Sequence, residues 1–232
     1  MTQSETLESN ARADAIVRTM PLLLAWLLIA LVLGLSGALG SPSGPPIGLG
    51  LAIALPLLTY WLDGRRGHPL FRGIARLDAP TLAVLQTFRV LGLVFIVAWW
   101  RGELPAGFAL PAGIGDVLVG LAAPFVAVAV ARRGVGARGL FIAWNVFGLV
   151  DLIVAVSSGI THSSGPLGLF RSGPSTDAMA LYPFSLIPTF LVPLAVMLHA
   201  RSLKVYSTAP ASSGASVSPR SPLAASAGAG PS

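Results

Sequence analysis

The chain has 232 residues, 54% of them hydrophobic and only 10% charged, with a net charge of +6 and no cysteine. Ordinary globular domains carry roughly a quarter charged residues, so a soluble fold could not hide this much apolar surface, and the lack of cysteine excludes disulfides, thiolate metal sites and cysteine nucleophiles. The basic residues are spread over short loops and do not gather on one face, which argues against nucleic acid as a partner and for a lipid bilayer.

Taken in chain order, residues 1–18 are a polar leader compatible with either a short interfacial helix or disorder. The first apolar segment covers 20–39. Arg12 and Arg18 precede it and SGALG closes it, features shared with a cleaved secretory signal. Its apolar stretch exceeds a signal core of about 7–15 residues, and the leader holds Glu5, Glu8 and Asp14, so a retained helix is expected. Further apolar segments follow at 46–62, 81–100, 111–131, 139–157 and 180–200. At roughly 17 to 22 residues, each is long enough to cross a hydrocarbon core of about 30 Å. The expected fold is all-α, a polytopic transmembrane bundle of six spans over 19–205. After Tyr206 the sequence turns to Ser, Pro, Ala and Gly, too poor in large apolar groups to offset ordering entropy, so 206–232 is expected to be a disordered tail.

Sorting the basic residues by loop sets the orientation. Twelve of the fifteen fall in the leader, the second and fourth loops and the tail; Arg101 and Arg171 lie on the other side, and Arg89 lies inside a span. Basic residues of short loops stay cytoplasmic, so both termini are expected there, as an even span number also requires. Trp99 and Trp100 then close the third span at the outer interface.

Ionisable side chains within such spans cost about 2.5 to 3.5 kcal/mol each on insertion scales and require a partner, water or a function. The third span holds Gln86 and Arg89 on one helical face, the fourth Asp116, and the fifth Asn145 and Asp151. Ala112, Asp116, Gly120, Ala123 and Ala127 form one helical stripe, as do Trp144, Gly148, Asp151 and Ala155. Stripes of small residues turn into helix bundles, so both aspartates are expected inside, roughly 7 to 9 Å below the outer boundary. Arg89 lies deeper, about 16 Å from Trp100, and reaches either the aspartates or Asn145 and Gln86. Two acids and one base would leave a net charge of −1, which disfavours joint ionisation and suits the loading and release of a proton. An inert ion pair that fixes helix register accounts for the same residues.

The last segment contains Pro183, Pro188 and Pro193. The latter two free the carbonyls of Phe184 and Thr189, which protein or cavity water must satisfy, so a helix-break cavity is expected at Phe184, Pro188, Thr189 and Pro193. His68, His162 and His199 are too dispersed to pair on a metal or haem and are expected at surfaces or interfaces; no metal, cofactor, nucleotide site or catalytic serine is expected.

GIGD at 113–116 resembles the GxGD element of the intramembrane aspartyl proteases, a resemblance that implies Asp116 and Asp151 as a catalytic pair; those families, however, carry the partner aspartate before this helix, where the present chain has Arg89. More broadly, QTFR, LPAGIGDVLVG, WNVFGLVDL and YPFSLIPTFLVP resemble uncharacterised bacterial multi-pass membrane proteins. That resemblance implies a bacterial cytoplasmic-membrane location and no particular activity. The leading reading is a binding or transport protein for a small solute or protons, with Arg89, Asp116, Asn145, Asp151 and Gln86 at its site and no assigned catalytic residue. Its partners would be the bilayer and a small molecule that the sequence does not name, and a homodimer is compatible with so few spans. The alternatives are a structural or accessory membrane subunit and an aspartyl protease.

Overall fold

The computed structural model describes residues 3–40, 46–66 and 72–207, and among these every regular element is helical. The elements are α1 (Gln3–Ser36), α2 (Ile47–Arg66), α3 (Arg72–Ala75), α4 (Ala79–Leu85), a 3-10 segment (Gln86–Gly92), α5 (Leu93–Trp100), α6 (Ala106–Arg133), a 3-10 turn (Gly134–Ala137), α7 (Arg138–Thr161), a 3-10 turn (Asp177–Ala180), a π turn (Ile187–Leu191) and α8 (Val192–Ser207). The expected tail lies outside the described residues from 208 onward, and so does His68.

Among the described residues, three stretches are long and apolar enough to cross a membrane: Val17–Ser36, Ala79–Trp100 and Ala106–Thr161. The third folds back on itself at the 3-10 turn, so α6 and α7 run antiparallel; Gly115 faces Asp151, and Gly159 faces Phe108. Length and composition alone therefore do not return six separate spans. The apolar helix Ile47–Leu62 is shorter, and the stretch expected as a continuous span over 180–200 is regular helix only from Val192.

Local sequence sets these ends. Asp78 caps α4 by accepting from the Thr81 N–H at 3.0 Å, with Pro80 in the first turn where its missing donor is harmless. Gly134, at φ 48°, ends α6 in a conformation that a side chain would strain. The leader, left open between helix and disorder by its sequence, continues α1 back to Gln3.

Contacts between helices fix their directions. The Trp26 indole donates to the Thr189 carbonyl at 3.1 Å, and Gly34 packs on Ser185, so α1 runs antiparallel to the last helix. Gly120 packs on Val90 and Gly113 on Ile96, so the 79–100 stretch runs antiparallel to α6. Gln3 and Ser207 thus share one end of the bundle with Ala79 and Gly134, while Ser36, Trp100, Ala106 and Thr161 lie at the opposite end.

Both small-residue stripes face inward: Ala112, Asp116, Gly120, Ala123 and Ala127 on α6, and Trp144, Gly148, Asp151 and Ala155 on α7, are all buried. The outer surface is apolar, with Phe125 76%, Ile153 65% and Trp100 81% exposed, while Arg89 is 2% exposed. This reverses the arrangement of a soluble fold, where charged groups face water. An apolar exterior together with a charged interior is the arrangement that a hydrocarbon surrounding requires.

Candidate functional site

The site begins with a local departure from α-helix. From Gln86 to Gly92 the Ala79–Trp100 stretch tightens to a 3-10 helix, in which residues three apart eclipse one another. Gln86, Arg89 and Gly92 therefore stack on one line, and all three are buried against the bundle. Opposite them stand Asp116 of α6 and Asp151 of α7. A side chain at Gly92 would fall on the Cβ of Asp116 and one at Gly115 on the carboxyl group of Asp151, so glycine at these two positions is what admits the acids.

Arg89 uses every nitrogen of its guanidinium. Nε donates to Asp116 Oδ1 at 2.6 Å, Nη2 donates to Asp151 Oδ2, and Nη1 donates to the Gly148 carbonyl at 3.1 Å. Nε and Nη2 form one edge of the planar fork, which commonly receives both oxygens of one carboxylate. Here that edge receives one oxygen from each of two acids, and the acids lie side by side.

Nη1 also meets His199 Nε2 at 3.1 Å, and His199 Nδ1 meets Asn145 Oδ1 at 2.8 Å. A guanidinium only donates. His199 is thereby assigned as the neutral tautomer that accepts at Nε2 and donates from Nδ1 to Asn145. Asn145 in turn donates from Nδ2 to the Phe141 carbonyl at 2.7 Å. The Trp144 ring stands edge-on to His199 at 5.4 Å, holding the imidazole from the other side.

Of the residues singled out from the sequence, Arg89, Asp116 and Asp151 thus meet directly, and Asn145 joins them through His199. Gln86 stays apart, donating to the Ala195 carbonyl at 3.1 Å. The helices carrying the aspartates are longer than their apolar runs. Because α6 starts at Ala106 and α7 runs to Thr161, each acid lies ten residues from its helix end, about 15 Å. Hydropathy had trimmed both helices where Pro111 and the serines at 157 and 158 interrupt the apolar run. His199 is the residue that sequence reasoning missed. Expected at an interface, it is fully buried. The available signal was the spacing of Ala195, His199 and Ser202, all buried on one stripe of α8.

The prolines of the last segment do break the helix: Pro188 lies in the π turn and Pro193 in the first turn of α8. The freed carbonyls nevertheless find protein donors. Phe184 accepts from the Ile187 N–H at 3.0 Å, and Thr189 accepts from Trp26. What the break does provide is a wall. A cavity of about 610 Å³ runs from the loops around Ser164 and Asp177, past Ile53, Val156 and Pro188, down to Asp116. Beside it a void of about 20 Å³, bounded by Arg89, Gly92, Asp116 and Ala195, has room for about one water.

Residues 46–206 match the family model described as a domain of unknown function, DUF8737. The chain belongs to this family. No curated protein and no solved structure matches it. Every member of the ion cluster, with His199, lies inside the DUF8737 domain, whereas α1, whose Trp26 fastens the broken helix, precedes it. No group of histidines and acids that could hold a metal ion occurs among the described residues of the domain.

Proposed function

We propose that this chain is a six-span protein of the bacterial cytoplasmic membrane, with both termini cytoplasmic, that binds a small solute or a proton in a cavity open to the exterior. One observation carries the reading: Asp116 is the member of the buried ion cluster that also lines the large cavity. It gives Oδ1 to Arg89 and has no hydrogen bond at Oδ2. A buried acid that lines a cavity of roughly drug-sized volume and leaves one oxygen without a hydrogen bond has the arrangement of a binding site. The antiparallel course of the helices and the twelve basic residues at the inner loops support the topology.

A second reading has its own support. Every guanidinium nitrogen of Arg89 donates to a protein group and the glycines are fitted closely to the two acids, as in a lock that only fixes helix register. The cleavage reading is weaker, because Asp151 does not line the cavity and a peptide there would meet only Asp116.

Water access separates binding site from lock. The chain lacks cysteine, so Val156→Cys, on the cavity wall, and Ser164→Cys, at its mouth, introduce single reporters. An impermeant maleimide added outside intact cells is expected to label both. Labelling at 164 without labelling at 156 would overturn the cavity as a site.

A further inference from the structure

We infer that the cavity takes a lipophilic monocation, with an apolar body along its walls and a positive head on Asp116 Oδ2, where it competes with a proton. This rests on the cavity being a binding site. Four observations identify the ligand class.

The walls are hydrocarbon: Ile53, Phe95, Leu152, Val156, Ile187 and Val192 are representative. A sugar or other many-hydroxyl solute would leave most of its polar groups unpaired there. Among the described residues, the charged side chains lining the cavity are Asp116 at the floor and Asp177 at the mouth, with no Lys or Arg. An anion would meet repulsion at both ends. Arg89 has little to offer an anion, because each of its nitrogens already donates to Asp116, Asp151, Gly148 or His199 and the two acids flank it. Finally, Asp116 is 8% exposed overall, yet it lines the cavity and its Oδ2 makes no hydrogen bond.

Charge balance makes the same selection. The groups facing Asp116 are Arg89 from the 3-10 segment, Asp151 from α7 and the neutral His199–Asn145 pair from α8 and α7. Two carboxylates against one guanidinium leave one negative charge, which a single positive charge at Oδ2 neutralises. A proton on Oδ2 does so as well. The two occupants exclude each other, so cation entry at a protonated site releases the proton and binding weakens as pH falls. Asp177 places a second negative charge at the mouth, where it draws cations toward the opening.

Tetraphenylphosphonium and tetraphenylborate share a shape and differ in sign, and their binding to the full chain in a neutral maltoside detergent can be measured by titration calorimetry. Phosphonium is expected to bind, more tightly at pH 8 than at pH 5.5 because the proton competes for the same oxygen, and borate is not. Asp116→Asn should lower phosphonium affinity at least tenfold and abolish its pH dependence. Since that change could unsettle the cluster, Gly50→Phe provides an independent arm: Gly50 lines the cavity, and a Cβ there meets nothing within 4 Å. It should block binding while leaving the ion cluster untouched. Equal binding of both ions, or wild-type phosphonium affinity in Asp116→Asn, overturns the ligand class. If 156 is labelled from outside yet phosphonium does not bind, the binding-site reading stands and the cation falls; if 156 is not labelled, both fall.

Discussion

Arg89 makes the site cohere, because one side chain ties three helices together through two acids, a backbone carbonyl and an imidazole. Such an arrangement tolerates little change in volume. A methyl at Gly115 would fall inside the Asp151 carboxyl group and force either the α6–α7 pair apart or the acid away from Arg89. Gly115→Ala is expected to destabilise by about 1–3 kcal/mol, the usual range for overpacking, and to lower the midpoint of thermal unfolding in detergent. An unchanged midpoint would mean that the acid has somewhere else to go. The acids and the arginine were legible in the sequence, because ionisable groups in apolar runs stand out by composition alone. His199 was not, because its position near a span end gave it an expected interface role, and only the partner set, Arg89 on one nitrogen and Asn145 on the other, shows what it does.

At the scale of elements, the stripes on α6 and α7 could be read from spacing because both helices are regular where the stripes run. What spacing could not supply was the 3-10 segment at Gln86–Gly92 or the π turn at Ile187–Leu191, since their geometry depends on neighbours. The loop from Ser163 to Asp177 is ordered in the same way by partners distant in sequence. Thr176 donates its hydroxyl to the Gly159 carbonyl at 2.6 Å, and Asp177 Oδ1 accepts from the Ser164 N–H at 3.0 Å. Partial burial tends to raise the Asp177 pKa, but hydrogen bonds from Ser164 and Ser175 outweigh it and hold the carboxyl below its ordinary 3.8. A depressed carboxyl contributes stability above its unfolded value and loses it as pH falls through the folded one. The loop should therefore hold fully at neutral pH and loosen only below about 4. Asp177→Asn removes the ionised acceptor. Its expected effect is faster amide hydrogen exchange at Ser164 at pH 7, with exchange in α7 unchanged; equal rates at Ser164 would show that the loop is held by its other hydrogen bonds, such as those of Thr176 and Arg171.

For the whole molecule, the decisive question is how many times the chain crosses the bilayer. The apolar exterior and charged interior are shown at the level of single residues, but length and composition select three stretches, one of which contains a hairpin. Chain direction discriminates between counts. If α6 and α7 each cross, Glu103 and Ser164 lie on one side of the membrane and Arg133, at the hairpin turn, on the other. If the last segment also crosses despite its proline-broken start, Ala200 joins Arg133. Single cysteines at these four positions, in a chain that otherwise has none, report this directly. An impermeant maleimide on intact cells should label 103 and 164, and should reach 133 and 200 only after permeabilisation. Labelling of 133 from outside would mean that the hairpin does not cross, and the cluster would then lie in an extramembrane unit. Labelling of 200 from outside would leave an odd number of crossings between 1 and 200 or an inverted chain. The expected pattern puts the mouth of the 610 Å³ cavity, at Ser164 and Asp177, on the exterior with Asp116 at its floor inside a crossing hairpin. The direction from which a ligand reaches the buried acid thus follows from the same four labels that count the spans.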